Sequence, residues 1–208
     1  MTVADPIVHA FDGLASRVDA TGFRTVGFTS ALLGEGVSTI ALGTALALAA
    51  LRQEKVLLVD ANWIRPSLTA DARAASRRGL AEVLRRQALP GGLVVPTDQP
   101  RLSFLPAGAK DGTPPELDAA LREFLGGALS RFDTVVVDLP AALSGDSAIT
   151  AWAAALQQFF VVARSGVTPL AALRRAIAEI AADDPQIVLN RVPPTTSERS
   201  ARPQVITE

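Results

Sequence analysis

The feature that most constrains the fold is the recurrence of short Val- and Phe-rich runs with helix-like segments between them. The candidate strands are Thr25–Thr29, Lys55–Asp60, Leu102–Pro106, Thr134–Asp138, Phe159–Ala163 and Gln186–Asn190. Runs such as TVVVD at 134–138 lack polar alternation, so both faces of the sheet need cover, which is the mark of parallel strands joined by crossover helices. Candidate helices are Val37–Arg52, Leu80–Arg86, Pro115–Ser130, Asp146–Leu156 and Pro169–Ala182. In the last, Leu170, Leu173, Ile177 and Ile180 share one face, as in a half-buried helix. The helix from Val37 is apolar almost all round and is expected to lie under its neighbours. Gly91–Gly92 and Ala107–Pro114 read as loops. The expectation is one α/β domain over residues 1–192, with a mostly parallel sheet flanked by helices in three layers. Residues 193–208 are expected to form a mobile C-terminal tail, since the composition turns to Pro, Ser, Thr and Arg.

Composition narrows the chemistry. The 208 residues carry a net charge of −1, which leaves no field to hold a nucleic acid or an anionic membrane by charge alone. There is no Cys and only one His, His9, so disulfides, thiolate sites and His-rich metal cages are excluded. There is no Tyr, and among the 20 basic residues only Lys55 and Lys110 are lysines. The N-terminal MTVADPIVHAFDGLA shows no basic stretch followed by an apolar one, so no signal peptide is expected. The longest apolar run, Ile40–Leu51, is well short of the roughly 20 residues that span a bilayer. A cytoplasmic location follows as the expectation, with any approach to the inner membrane made through a partner and no direct insertion.

Residues 25–45, TVGFTSALLGEGVSTIALGTA, read as a strand, a loop with Gly34 and Gly36, and a buried helix opening with Ser38 and Thr39. This is the layout of a P-loop. Glycines let successive backbone N–H groups curl into an anion-binding nest, the helix N-terminus adds partial positive charge, and a hydroxyl at the helix start can reach Mg²⁺. Ser38 stands in that position. A strand-to-helix turn with no ligand is the plain alternative for such glycines taken alone.

The segment resembles the phosphate loop of bacterial tyrosine kinases (BY-kinases), T-S-x-x-P-G-E-G-K-S-T, the cytoplasmic partners of polysaccharide copolymerases. Thr29, Ser30, Gly34, Glu35, Gly36, Ser38 and Thr39 match, and Val37 stands where the phosphate-binding lysine belongs. KVLLVDANWIRP at 55–66 resembles the second motif, V-L-L-I-D-A-D-x-R-R-P. Asp60 matches its first aspartate, Asn62 replaces the second, and Ile64 replaces the first arginine, while Arg65 and Pro66 remain. FDTVVVDLP at 132–140 resembles the third motif, with Asp138 as the carboxylate on the metal side. LSFLPAG followed by PPEL also follows the family's pattern. IVLNRV places Asn190 where related P-loop ATPases read adenine. The family's N-terminal E-x-x-R-x-x-R helix, which assembles a ring, falls on His9, Asp12 and Ala15, and those contacts are missing. His9 and Asp12 read instead as solvated surface.

The resemblance implies a three-layer P-loop NTPase fold. It implies nucleotide contacts from Gly34, Glu35, Gly36, Val37, Ser38, Thr39 and Asn190, and Mg²⁺ contacts from Ser38, Asp60 and Asp138. Asp60 and Asp138 are then vestigial catalytic carboxylates. Without the lysine, ATP or ADP with Mg²⁺ is expected to bind weakly or not at all, because each lost charge-assisted bond costs about 1.5–3 kcal/mol. Asn62 cannot take up a proton as a carboxylate does. The reading that follows is a catalytically degenerate, pseudokinase-like BY-kinase relative. It would act as a regulatory or scaffolding subunit in exopolysaccharide synthesis or export, partnered by a membrane-embedded polysaccharide copolymerase or another export-system protein. Two alternatives stay open: a weak nucleotide switch of the partition and septum-site ATPase type, with self-association, and an interaction module with no nucleotide.

Overall fold

The computed structural model describes residues 6–74, 77–109, 117–145, 148–182 and 184–192; the expected tail at 193–208 lies outside them. Two short helices, α1 (Pro6–Ala10) and α2 (Asp12–Thr21), precede β1 (Thr25–Ser30) and α3 (Val37–Leu51). Then come β2 (Val56–Asp60), α4 (Ser67–Asp71), α5 (Leu80–Leu84), β3 (Val95–Pro96), β4 (Leu102–Leu105) and α6 (Leu117–Leu129). The chain continues through β5 (Thr134–Asp138), α7 (Ala148–Ala155), β6 (Gln158–Arg164), α8 (Leu170–Ile180) and β7 (Gln186–Asn190). The strands form one sheet in the order β3-β4-β2-β5-β1-β6-β7, parallel except for β3, which runs antiparallel to β4 at the edge.

The unalternating strands do bury both faces. Leu57, Val59, Val135, Val137, Phe159 and Val161 point into a core closed by α5, α6, α7 and α8. Their neighbours Val56, Leu58, Val136, Phe160 and Val162 point into a second core closed by α1, α2 and α3. The rings of Phe28 and Phe160 stack there at 4.9 Å. These are the three expected layers, with burial of apolar surface on both sides of the sheet as the main stabilising term.

Every expected strand and helix is present, and each end that falls on described residues lies within two residues of its expected place; the expected starts at Pro115 and Asp146 lie outside the described residues. The N-terminal helices carry no periodic signal and are held by packing and pairing. Phe11 lies so close to α3 that a Cβ on Gly43 would meet its ring at 2.4 Å. Arg52 at the end of α3 pairs with Asp12 at 2.5 Å. Asp12 is therefore an ion-pair partner at a solvated surface, with its side chain 46% exposed. Ala15 is fully buried in the same layer. The buried stripe of α8 is Leu173, Ala176 and Ile180, whereas Leu170 in the first turn is 60% exposed, one place off the expected face.

Candidate functional site

The C-terminal ends of β1, β2 and β5 meet at the centre of the sheet, where an open parallel sheet places its crevice. After Ser30 the chain turns through residues 31–36 into α3. Gly34 and Gly36 have φ values of 82° and 95°, a left-handed region that side chains with a Cβ seldom enter. A Cβ at 36 would also lie 2.3 Å from Asn190 Nδ2, so that any other residue would displace the Asn190 side chain.

The loop is braced from within. Leu32 N–H donates to Glu35 Oε2 at 3.2 Å, and the Thr168 hydroxyl donates to the other carboxylate oxygen. Asn190 Nδ2 donates to the Glu35 carbonyl at 2.8 Å, and the Ser30 hydroxyl to the Leu32 carbonyl at 2.7 Å. The side chains of Glu35 and Asn190, two of the expected nucleotide contacts, thus hold the loop's shape. Among the described residues, no acceptor meets the backbone N–H groups of Gly34 through Thr39. They open on a cleft of about 220 Å³ whose walls include Gly34, Ser38, Asn62, Arg65 and Ser67. Thr39 is exposed, and the Ser38 hydroxyl accepts a 2.8 Å hydrogen bond from Ser67.

Val37 is 8% exposed and joins the apolar cluster with Ile40 and Ala41. Lys55 precedes the first residue of β2, at the opposite end of the sheet from the loop, and Lys110 lies outside the described residues. Leu32 and Leu33 are 39% and 58% exposed, and Leu33 forms part of the cleft wall.

Asp60 and Asp138 are aligned across β2 and β5, and both are fully buried. Asp60 accepts from Asn62 N–H at 3.1 Å and from the Thr69 N–H and hydroxyl at 2.8 and 2.7 Å. Burial raises its pKa above the usual carboxylate value, and those hydrogen bonds oppose the rise. Neither oxygen of Asp138 has a hydrogen-bond partner. Burial pushes Asp138 up to about 8; the nearby Ser38 hydroxyl pulls it down and repulsion from Asp60 adds to the rise. A buried carboxylate without a partner, next to a hydroxyl at a helix N-terminus, is a donor set suited to a hard divalent cation. Asp138 and Ser38 fit Mg²⁺, whereas Asp60 has its oxygens committed to the chain. Asn62 is also structural, because its Oδ1 accepts Arg65 N–H at 3.0 Å and closes the turn after β2.

Three hydroxyl residues in the site had no sequence signal: Ser67, Thr69 and Thr168. Each sits in a turn or at a helix start, and only tertiary structure brings it to Ser38, Asp60 or Glu35. A larger cavity, about 540 Å³ between α5 and α6, shares no residue with the P-loop cleft.

No protein-family model matches the chain. The succinoglycan biosynthesis transport protein ExoP of Rhizobium meliloti is 36% identical over 124 residues, which is 57% of this chain and 16% of ExoP. The tyrosine-protein kinase CpsD of Streptococcus agalactiae is 28% identical over 162 residues, 75% of this chain and 69% of CpsD. The tyrosine kinase domain of BceF superposes with a TM-score of 0.74 and 27% identity, covering 89% of this chain and 78% of that one. The kinase domain of the Escherichia coli tyrosine kinase ETK gives 0.79 at 21% identity, covering 94% and 80%. The septum-site protein MinD of Pyrococcus horikoshii, solved with Mg-ADP, gives 0.62 at 20% identity over 79% of this chain and 67% of MinD.

A central parallel sheet, a glycine loop opening a buried helix and paired aspartates at the strand ends define a protein of the P-loop NTPase fold. Within that class, the chain is a relative of the BY-kinase cytoplasmic domains. It spans a small fraction of ExoP and about two thirds of CpsD.

Proposed function

We infer that this chain is a BY-kinase-like protein without tyrosine kinase chemistry, serving as a regulatory or scaffolding subunit of exopolysaccharide synthesis or export. The observation that carries this reading is Val37, an aliphatic side chain buried in the core where the related loops hold a lysine. Phosphoryl transfer depends on positive charge placed where negative charge develops in the transition state, so the loss acts on rate more than on binding. Two further features support it. Asn62 is neutral and bonded to Arg65, so it is no general base, and the chain holds no Tyr to receive a phosphate. If Mg-nucleotide binds, Ser38 and Asp138 hold the metal and the loop amides hold the phosphates; the metal then neutralises phosphate charge.

The naming of ExoP as a succinoglycan biosynthesis transport protein supports the polysaccharide setting; a place on the cytoplasmic side beside a membrane-embedded copolymerase is part of the same proposal. No helix among the described residues is long and apolar enough to cross a membrane. Deleting the gene in its own organism tests the role. The account expects altered exopolysaccharide yield or chain length, restored equally by the unmodified gene and by one carrying Asp138→Ala. An unchanged polysaccharide after deletion overturns it.

A further inference from the structure

We propose that Arg65 supplies the positive charge the loop has lost, so that the cleft takes the polyphosphate group of a nucleoside di- or triphosphate. The inference rests on reading the cleft as a nucleotide site by descent, and is independent of whether phosphate is transferred.

The loop's own architecture calls for an anion. The amides of Gly34 through Thr39 have no acceptor among the described residues, and the first turn of the 15-residue α3 adds its partial positive charge. A second observation points to a cation arriving with that anion. Asp138 is fully buried directly behind the cleft, neither of its oxygens has a partner, and it neighbours Ser38, whose side chain is part of the cleft wall. A magnesium polyphosphate satisfies both demands together.

Of the side chains lining the cleft, Arg65 alone is cationic. Its backbone is fixed by Asn62 Oδ1, while its exposed guanidinium makes no hydrogen bond or ion pair among the described residues. Asn62 contributes a second effect. The carboxylate that the BY-kinase motif places there would neutralise an adjacent arginine, whereas the amide leaves the wall positive. Glu35, the one acidic residue in the lining, has its carboxylate bound to Leu32 N–H and Thr168 and so is turned to the loop's interior. A guanidinium on a fixed turn can form two parallel N–H···O bonds to a phosphate, a geometry that lysine lacks.

Calorimetric titration of the full chain with Mg-ADP, and separately with magnesium pyrophosphate, tests the assignment. The unmodified protein is expected to bind both saturably. Arg65→Ala is expected to weaken both by about ten- to hundredfold, with an unchanged circular dichroism spectrum because the side chain is exposed. Arg65→Lys should recover part of the loss, and Val37→Lys placed on Arg65→Ala should recover it by returning charge to the loop. Undiminished binding by Arg65→Ala, no saturable binding by the unmodified chain, or binding of ADP without pyrophosphate overturns the proposal. Transfer of phosphate to tyrosine would contradict the proposed function instead, and leave the role of Arg65 standing.

Discussion

Asp60 and Asp138 end neighbouring parallel strands in register, yet Asp60 accepts three hydrogen bonds while Asp138 accepts none. The difference separates two roles for residues that look alike in sequence. Asp60 knits β2 to α4, and through the Thr69 hydroxyl, which accepts Ala107 N–H at 2.9 Å, to the end of β4. Asp138 keeps both oxygens without a hydrogen-bond partner among the described residues.

Stability should fall as pH rises in metal-free buffer. The folded-state value of Asp138 is raised to about 8 from an ordinary 3.8, so between these limits the folded chain keeps a proton that the unfolded chain has released. Stability is full below the unfolded value and declines by up to about 1.4 kcal/mol per pH unit until pH passes the folded value. Burial shifts Asp60 and Glu54 upward as well, which adds to the same slope. Urea unfolding at pH 5 and pH 8.5 should show the loss, and Asp138→Asn should remove most of it. A wild-type protein equally stable at both values contradicts the assignment.

Thr69→Val should destabilise the fold by about 2–4 kcal/mol. It keeps shape but deprives buried Asp60 of a hydroxyl and strips Ala107 N–H of its acceptor. Denaturant melts provide the check; a loss under about 0.5 kcal/mol would mean that the network is replaceable by water.

Glu35→Gln should loosen the loop without unfolding the protein. Its carboxylate ties Leu32 N–H to Thr168, and one charge-assisted bond weakened by about 1.5 kcal/mol corresponds to about tenfold faster local opening. Hydrogen exchange at residues 32–36 reads this directly, with the amides of β5 as the unchanged reference.

Gly43→Ala should unseat the N-terminal helices. The new Cβ would meet the Phe11 ring at 2.4 Å, a contact costing about 1–3 kcal/mol unless the ring moves. Phe11→Ala should relieve it, so the double variant should be more stable than the sum of the single effects indicates. Simple additivity would show that the two residues do not touch.

The sheet was legible because buried parallel strands leave uninterrupted apolar runs, as in TVVVD at β5, and the glycine loop because φ values of 82° and 95° restrict residue choice. The N-terminal helices were not. Their apolar residues are too few for a periodic signal, and the Arg52–Asp12 pair that anchors them joins positions 40 apart in sequence. The edge strand β3 is two residues long and contains Pro96, too short and too poor in donors to be read. At the site, residue types were readable but not their uses. Nothing in the sequence distinguishes a Glu35 or Asn190 that touches a ligand from one that braces the loop, because the partners Thr168 and the Glu35 carbonyl arrive from distant segments.

The central claim is that this P-loop fold has lost its transfer chemistry, and a phosphoryl-transfer assay with γ-labelled ATP tests it most directly. The purified chain is incubated with Mg²⁺ and a tyrosine-containing copolymer, alongside Val37→Lys as a comparison. The account predicts no labelled copolymer and no released phosphate above the buffer rate from the unmodified protein. Sustained labelling of tyrosine by that protein would contradict it.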